Sequence, residues 1–199
     1  MNYYKIFTNT INGDVILHYK EDYGISLNSL VIGKKFDKWD DRFSFYYDKT
    51  EGNIWNDCVC NDKGWFVISE RLKNMLSAFN TNIQFFNVAI KDMNDTIVDK
   101  KYYIANIIKN VDAYCPEKSH YRETTIKGKG TIHIVSKYGI YEKKVNGADL
   151  FKLSEHNNIP TFASERFKNA FENEGMTGLF FREISVEHKG AKWKHYIIT

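Results

Sequence analysis

The chain has 199 residues, 43% of them hydrophobic and 16% Phe, Tyr or Trp, with a formal net charge of +3. This length supports one large domain or two small packed ones with a sizeable core, and two prolines exclude a Pro-rich linker or tail. A net charge this small gives no electrostatic signature of nucleic-acid binding, and no apolar run has the length of a membrane helix.

Tyr3–Thr8 and Val15–Tyr19 read as short strands rich in aromatic and β-branched residues. The polar, Gly-containing stretch between them predicts a hairpin. Leu27–Ile32 is a further apolar run closed by Gly33, Phe43–Tyr47 is an aromatic strand, and residues 51–64 are polar and read as loop. Trp65–Ile68 has the composition of a buried strand. Ser69 follows as a helix N-cap, with Glu70 complementing the positive end of the helix dipole. Leu72, Met75, Leu76 and Phe79 then fall on one helix face. Ile83–Ile90 returns as a strand that is apolar on both faces, which places it centrally.

Tyr102–Ile108 is the next expected strand, and the polar segment 110–130 is the best candidate boundary. Thr131–Ser136 and Leu150–Leu153 read as strands, with possible turns at Gly139 and Gly147. Ser164 caps a second helix whose apolar face is Phe167, Ala170 and Phe171, and Gly175 supplies the left-handed residue that ends it. Leu179–Val186 is its return strand, and Trp193–Ile198 closes the chain.

The two helix segments are alike. Residues 162–181 laid on residues 67–86, without gaps, share seven identities in twenty positions: Ser69/Ser164, Glu70/Glu165, Arg71/Arg166, Lys73/Lys168, Asn74/Asn169, Phe85/Phe180 and Phe86/Phe181. The expected fold is therefore α+β: mostly antiparallel sheets with two equivalent capped helices in a duplicated strand–helix–strand unit. The chain forms a single domain over 1–199, or two packed lobes at 1–112 and 126–199. Ser69 and Ser164 are structural caps rather than nucleophiles, because no Gly-x-Ser-x-Gly elbow surrounds either.

Little else carries chemistry. Cys58-Val59-Cys60 lacks zinc-knuckle spacing, and with Cys115 it makes no even-numbered disulfide framework. The histidines at 18, 120, 133, 156, 188 and 195 show no metal-ligand spacing. The Lys127–Thr131 stretch lacks P-loop spacing and reads as a basic turn. No cofactor, metal site or catalytic residue is expected. Met1–Phe7 lacks the features of a signal peptide, and the expectation is a soluble cytoplasmic protein.

Residues 1–99 carry 11 basic and 14 acidic side chains, a net −3, while residues 100–199 carry 17 and 11, a net +6. An acidic half of this kind can orient a partner. Within it, residues 36–48 mix acids and rings in the manner of an interface with aromatic anchors and a charged rim. Asp37, Trp39, Asp40, Asp41, Phe43 and Tyr46 are the candidate partner-binding residues.

Ser164–Phe171 followed by Gly175–Phe181 resembles the closing motif of the immunity proteins numbered eleven in bacterial polymorphic toxin systems. Phe66–Leu76 and Tyr102–Ala113 resemble that family's central blocks, so the likeness runs roughly from Trp65 to Val186. The resemblance implies a small cytosolic protein that binds and neutralises a cognate toxin domain, with no catalytic residues to carry over. The slightly basic net charge points away from whole-surface charge mimicry, towards the acidic amino-terminal half or a specific shape fit. The alternatives are an enzyme with a dispersed active site that reverses a toxin's modification, and a nucleic-acid-binding module using the basic second half.

Overall fold

The structure is a computed structural model that describes residues 1–128, 130–154 and 160–187. In chain order its elements begin with β1 (Tyr3–Thr8), β2 (Gly13–Asp14), β3 (Ile16–Tyr19), α1 (Leu27–Val31), β4 (Ser44–Tyr46) and β5 (Gly52–Ile54). Then come β6 (Cys58–Asn61), β7 (Phe66–Ser69), α2 (Glu70–Leu76), β8 (Ile83–Lys91), β9 (Tyr102–Ile107), β10 (Asn110–Val111) and a 3₁₀ turn at Pro116–Lys118. The remainder comprises β11 (His120–Ile126), β12 (Gly130–Lys137), β13 (Gly139–Tyr141), α3 (Glu142–Val145) and β14 (Leu150–Leu153). It ends with β15 (Thr161–Ser164), α4 (Glu165–Asn173), β16 (Leu179–Glu183) and β17 (Ser185–Glu187). The fold is α+β, and eight of the thirteen strand pairings among the described residues are antiparallel.

Strand alternation builds a closed barrel in the order β3-β4-β8-β9-β7-β6. Leu17, Phe45, Val59, Val67, Ile90 and Ile104 come from its six strands and fill one core, joined by Phe43, Trp65 and Val88. Each such burial contributes about 1.5–3 kcal/mol before ordering costs. β8 is central, as its two apolar faces predict: Phe86, Val88 and Ile90 serve the barrel, while Ile83 and Phe85 serve the core outside it.

A five-stranded sheet, β10-β14-β15-β1-β16, packs beside the barrel. The first strand of the chain thus lies in the sheet of the C-terminal half. Between sheet and barrel, Ile68 and Ala105 meet Ile6, Leu150 and Ala163, with Leu72, Leu76, Phe167 and Phe171 from α2 and α4 completing the cluster. The other face of the sheet carries a third core that includes Tyr3, Phe151, Phe162 and Ile140.

Both caps form as expected. The Ser69 hydroxyl accepts the Leu72 amide at 3.1 Å, and the Ser164 hydroxyl accepts the Phe167 amide at 3.2 Å. α4 ends on Gly175 at φ +61, where the Met176 amide reaches the Phe171 carbonyl and the Gly175 amide reaches that of Glu172, both at 3.0 Å. These are the two crossed bonds of a Schellman ending.

The two strand–helix–strand segments make matching pairings. β7 and β8 flank β9, antiparallel to it, as β15 and β16 flank β1. Ser69 lies opposite Tyr102 and Ser164 opposite Tyr3, so Ala105 corresponds to Ile6. Ala105 pairs with Phe85, whereas Ile6 pairs with Phe181. The gapless alignment therefore slips by one residue after the helices, and Phe85 matches Phe181 rather than Phe180. One residue reverses the face of a strand: Phe85 and Phe181 pack in the inter-sheet core, while Phe180 is 44% exposed.

Several expectations are corrected. β1 and β3 form no hairpin, because β1 is taken by β15 and β16 and β3 by β4 and β6. The apolar run at Leu27–Ile32 contains helix α1. Residues 51–64 hold two strands, β5 and β6, too short for alternation to be legible. The expected boundary at 110–130 contains β10, the 3₁₀ turn and β11, which pairs with β12. The stretch read as one strand at Leu179–Val186 breaks at Ile184, and β17 pairs with β13 instead. The expected strand Trp193–Ile198 lies outside the described residues, as do Lys129, His156, His188 and His195.

Candidate interaction surface

The pairing of β3 with β4 sets His18 opposite Tyr46 and Tyr19 opposite Phe45. With Leu17, Phe43 and Phe45 in the barrel core, alternation turns His18 and Tyr46 outward together. Lys20 Nζ stands 3.8 Å from the centroid of the Tyr46 ring. His18 is clamped by Glu51 on Nε2 at 2.7 Å and by Asp62 on Nδ1 at 3.0 Å. Partial burial works against its charge, but the hydrogen bonds and charges of Glu51 and Asp62 outweigh it and raise the imidazole pKa. One imidazolium between two carboxylates still leaves that cluster net negative.

On the loop that leads into β4, Arg42 donates to Asp40 Oδ1 at 2.9 Å and to Oδ2 at 2.6 Å, and its guanidinium lies 4.9 Å from the Tyr23 ring. The Arg42 side chain and amide hold the Asp40 carboxyl down at about 2. Tyr23 is 36% exposed and adopts a left-handed φ of 49°, a conformation rare for a bulky side chain. An exposed ring held at a backbone cost is a feature found at binding sites.

The six residues proposed from sequence divide three ways. Asp37 and Asp41 are exposed, and Asp40 and Tyr46 are half-buried members of the surface just described. Trp39 stacks on Phe86 with centroids 4.4 Å apart and planes 11° from parallel, half-buried against the barrel core. Its Nε1 is buried and has no hydrogen-bond partner among the described residues. Phe43 is no surface anchor: it is wholly buried, its ring 5.1 Å from Phe45 and 5.2 Å from Trp65. It shares a face with Phe45, and that face looks into the barrel. Sequence reasoning missed His18, Lys20, Tyr23, Glu51 and Asp62, which only the barrel brings to Tyr46 and Arg42.

The remaining sequence features settle into structural roles. Asp57 accepts the Ser69 hydroxyl at 2.7 Å, and Asp149 accepts that of Ser164 at 2.6 Å. Each hydroxyl therefore caps its helix and ties it to an aspartate. Cys58 and Cys60 lie on strand β6 rather than in a loop, and burial pushes the Cys58 thiol up, away from the reactive thiolate. No group of three metal-ligating side chains gathers among the described residues. Among the basic side chains that precede the Lys127–Thr131 turn, Lys118 is held by the Val186 carbonyl and by Glu187, at 3.0 and 2.8 Å. His120 and Arg122 are exposed on the β11–β12 hairpin, where Tyr121 stacks on His133 at 3.9 Å. No helix among the described residues is long and apolar enough to cross a membrane.

The model of the immunity protein family Imm11 matches residues 3–186, spanning both the barrel and the five-stranded sheet. The chain belongs to the Imm11 immunity protein family. The resemblance carried by the Ser164–Phe181 motif is thereby established over nearly the whole sequence. A comparison with curated proteins gives no match to this Imm11 protein. The family's description implies a toxin as partner.

Proposed function

We propose that this Imm11 protein is the cytoplasmic immunity partner of a bacterial polymorphic toxin and neutralises it by binding over the toxin's active site. Family membership supports the class of function. The observation that carries the site is the pair of groups on and next to β3 and β4: Tyr46 with His18 and Lys20, and Tyr23 with Arg42 and Asp40 on the loops after β3 and before β4, Tyr23 being exposed in a left-handed conformation. Asp37 and Asp41 are exposed acids on the segment that leads into β4, and Trp39 and Phe43 pack on its barrel side. Aromatic anchors ringed by charge are the usual composition of a tight interface of about 1,600 Å², and acidic side chains speed encounter with a basic partner.

We read the segments around α2 and α4 as two copies of one unit that frame two related lobes sharing the inter-sheet core. The matching caps and strand pairings support this reading. In it the duplicated Ser-Glu-Arg motif builds the scaffold, and the toxin-binding face lies outside the duplication.

Co-expression with the toxin domain encoded beside it tests the function. The two proteins copurify and the host survives, while a Tyr23→Ala, Asp40→Ala double substitution weakens the complex and leaves the fold intact. Absence of a complex with that domain, or unprotected cells, would sink the proposal.

A further inference from the structure

A cavity of about 240 Å³ opens between the barrel and the five-stranded sheet. Ile6, Leu30, Val31, Trp65, Phe66 and Ile107 give it apolar walls drawn from both bodies. Lys152 and Thr161, neighbours across β14 and β15, also line it, and Lys152 is its one ionisable lining residue among those described. The lysine is 3% exposed, and its Nζ donates to Thr161 Oγ1 at 2.9 Å. Among the described residues no carboxylate pairs with it, although buried lysines are ordinarily paired.

Packing places this amine. Gly33, at φ +68, lies against both the lysine stem and β9: a Cβ there would sit 3.1 Å from Lys152 Cδ and 2.5 Å from the Ile107 carbonyl oxygen. An ammonium has three donors, and Thr161 takes one, so two are unused among the described residues. A buried charge without a counter-charge is unfavourable by itself, and an anion entering the cavity would supply one.

We propose that this cavity binds a small amphiphilic monocarboxylate. Its carboxylate accepts from Lys152 Nζ and from the Thr161 hydroxyl, and its short hydrocarbon body lies on Leu30, Val31, Trp65 and Phe66. The Lys152 ammonium with the Thr161 hydroxyl suits a single carboxylate; the other lining hydroxyl, that of Thr8, donates to Cys60 Sγ at 3.9 Å, and a phosphate dianion would leave oxygens facing apolar walls. The size limits the body, because the volume holds about eight groups of water size. The site is separate from the acidic surface and does not depend on the toxin-binding reading.

Sodium hexanoate, titrated through the millimolar range into the full-length protein, is the probe, read by tryptophan fluorescence and by the thermal midpoint. A saturable change in fluorescence and a rise in midpoint are expected, with 1-hexanol and hexylamine giving neither. Burial alone pushes the Lys152 amine down to about 8, so hexanoate affinity falls about tenfold per pH unit above that value. Lys152→Met removes an unpaired buried charge and keeps the stem, and it lowers affinity at least about tenfold. Thr161→Val lowers it about fivefold, and serves as the test should the methionine variant not fold. No saturable response to hexanoate, an equal response to hexanol, or undiminished affinity in a folded variant overturns the proposal.

Discussion

Asp57 and Asp149 each hold the chain that leaves the other's helix. Asp57 Oδ2 accepts the Thr177 amide at 3.1 Å, just beyond α4, and Asp149 Oδ2 accepts the Asn80 amide at 2.8 Å, just beyond α2. Each carboxylate also takes the hydroxyl of the serine that caps its own helix. The backbone repeats the exchange: the Cys58 amide donates to the Thr177 carbonyl at 3.0 Å, and the Asp149 amide to that of Asn80 at 2.9 Å. Barrel and sheet are thus latched by two crossed contacts as well as by the apolar core between them.

The two latches differ in strength because they differ in burial. The Asp149 side chain is 2% exposed and that of Asp57 is 12% exposed. Replacing Asp149 by Ala leaves the buried Ser164 hydroxyl without its acceptor and the Arg166 guanidinium without its partner, and costs about 3 kcal/mol. Asp57→Ala, where water can enter, costs about 1–2 kcal/mol. Urea denaturation of both variants checks the order, and equal losses would contradict it.

Removal of the caps affects stability and spares toxin binding. Ser69→Ala lowers stability by about 1 kcal/mol and Ser164→Ala by about 2 kcal/mol, since Ser164 is almost wholly buried. Both variants still protect cells where they remain folded. Loss of protection by a folded Ser69→Ala protein would reopen a catalytic role for the serine.

Acid should open the Asp149 latch. Burial by itself would raise this carboxyl, but hydrogen bonds from Arg166, Ser164 and the Asn80 amide outweigh it and hold the pKa below its ordinary 3.8. A depressed carboxylate contributes stability that is present above pH 3.8 and is lost as pH falls through its folded value. His18 has the opposite sign: its pKa is raised above 6.5, so its contribution is full below that pH and disappears as pH rises through the folded value. Thermal midpoints measured against pH should therefore show a shallower acid slope in Asp149→Asn, where other depressed carboxylates such as Asp40 remain, and a smaller fall just above pH 6.5 in a Glu51→Gln, Asp62→Asn protein.

Gly178 is the tightest point of the crossing. It has φ +91, and a Cβ there would lie 1.9 Å from the Cys58 carbonyl oxygen. Gly178→Ala forces the β6 contact apart and costs about 3 kcal/mol or more. Gly128→Ala, also at positive φ but with open space around it, costs about 1 kcal/mol. Comparable losses in the two would show that conformation alone, without crowding, sets the penalty.

Stability and partner binding separate along one short segment. Phe43→Ala empties a site in the barrel core and lowers stability by about 3–5 kcal/mol. Asp37→Lys with Asp41→Lys, both exposed, shifts stability by no more than about 0.5 kcal/mol. At low salt the double variant slows association with the toxin domain about tenfold. Stopped-flow association rates and denaturation midpoints distinguish the two effects.

Local chemistry made much of the scaffold legible. The Ser caps, the apolar face of α2, the Gly175 ending and the two-faced strand β8 depend on contacts within a few residues, and the sequence by itself determined them. The α+β class and the family motif were equally readable. Tertiary pairing decided the rest, because its partners are far apart in the chain: β1 crosses to β15 and β16, β5 and β6 hide in a polar stretch, and a one-residue slip parts Phe180 from Phe85. The same holds at the surface. The sequence marked the acids and rings of residues 37–46, but only barrel closure turned Phe43 inward and set His18 opposite Tyr46, and only the pairing of β14 with β15 set the buried Lys152 against Thr161. A strand's period of two says that neighbouring residues face opposite ways, and the partner strands decide which way is in.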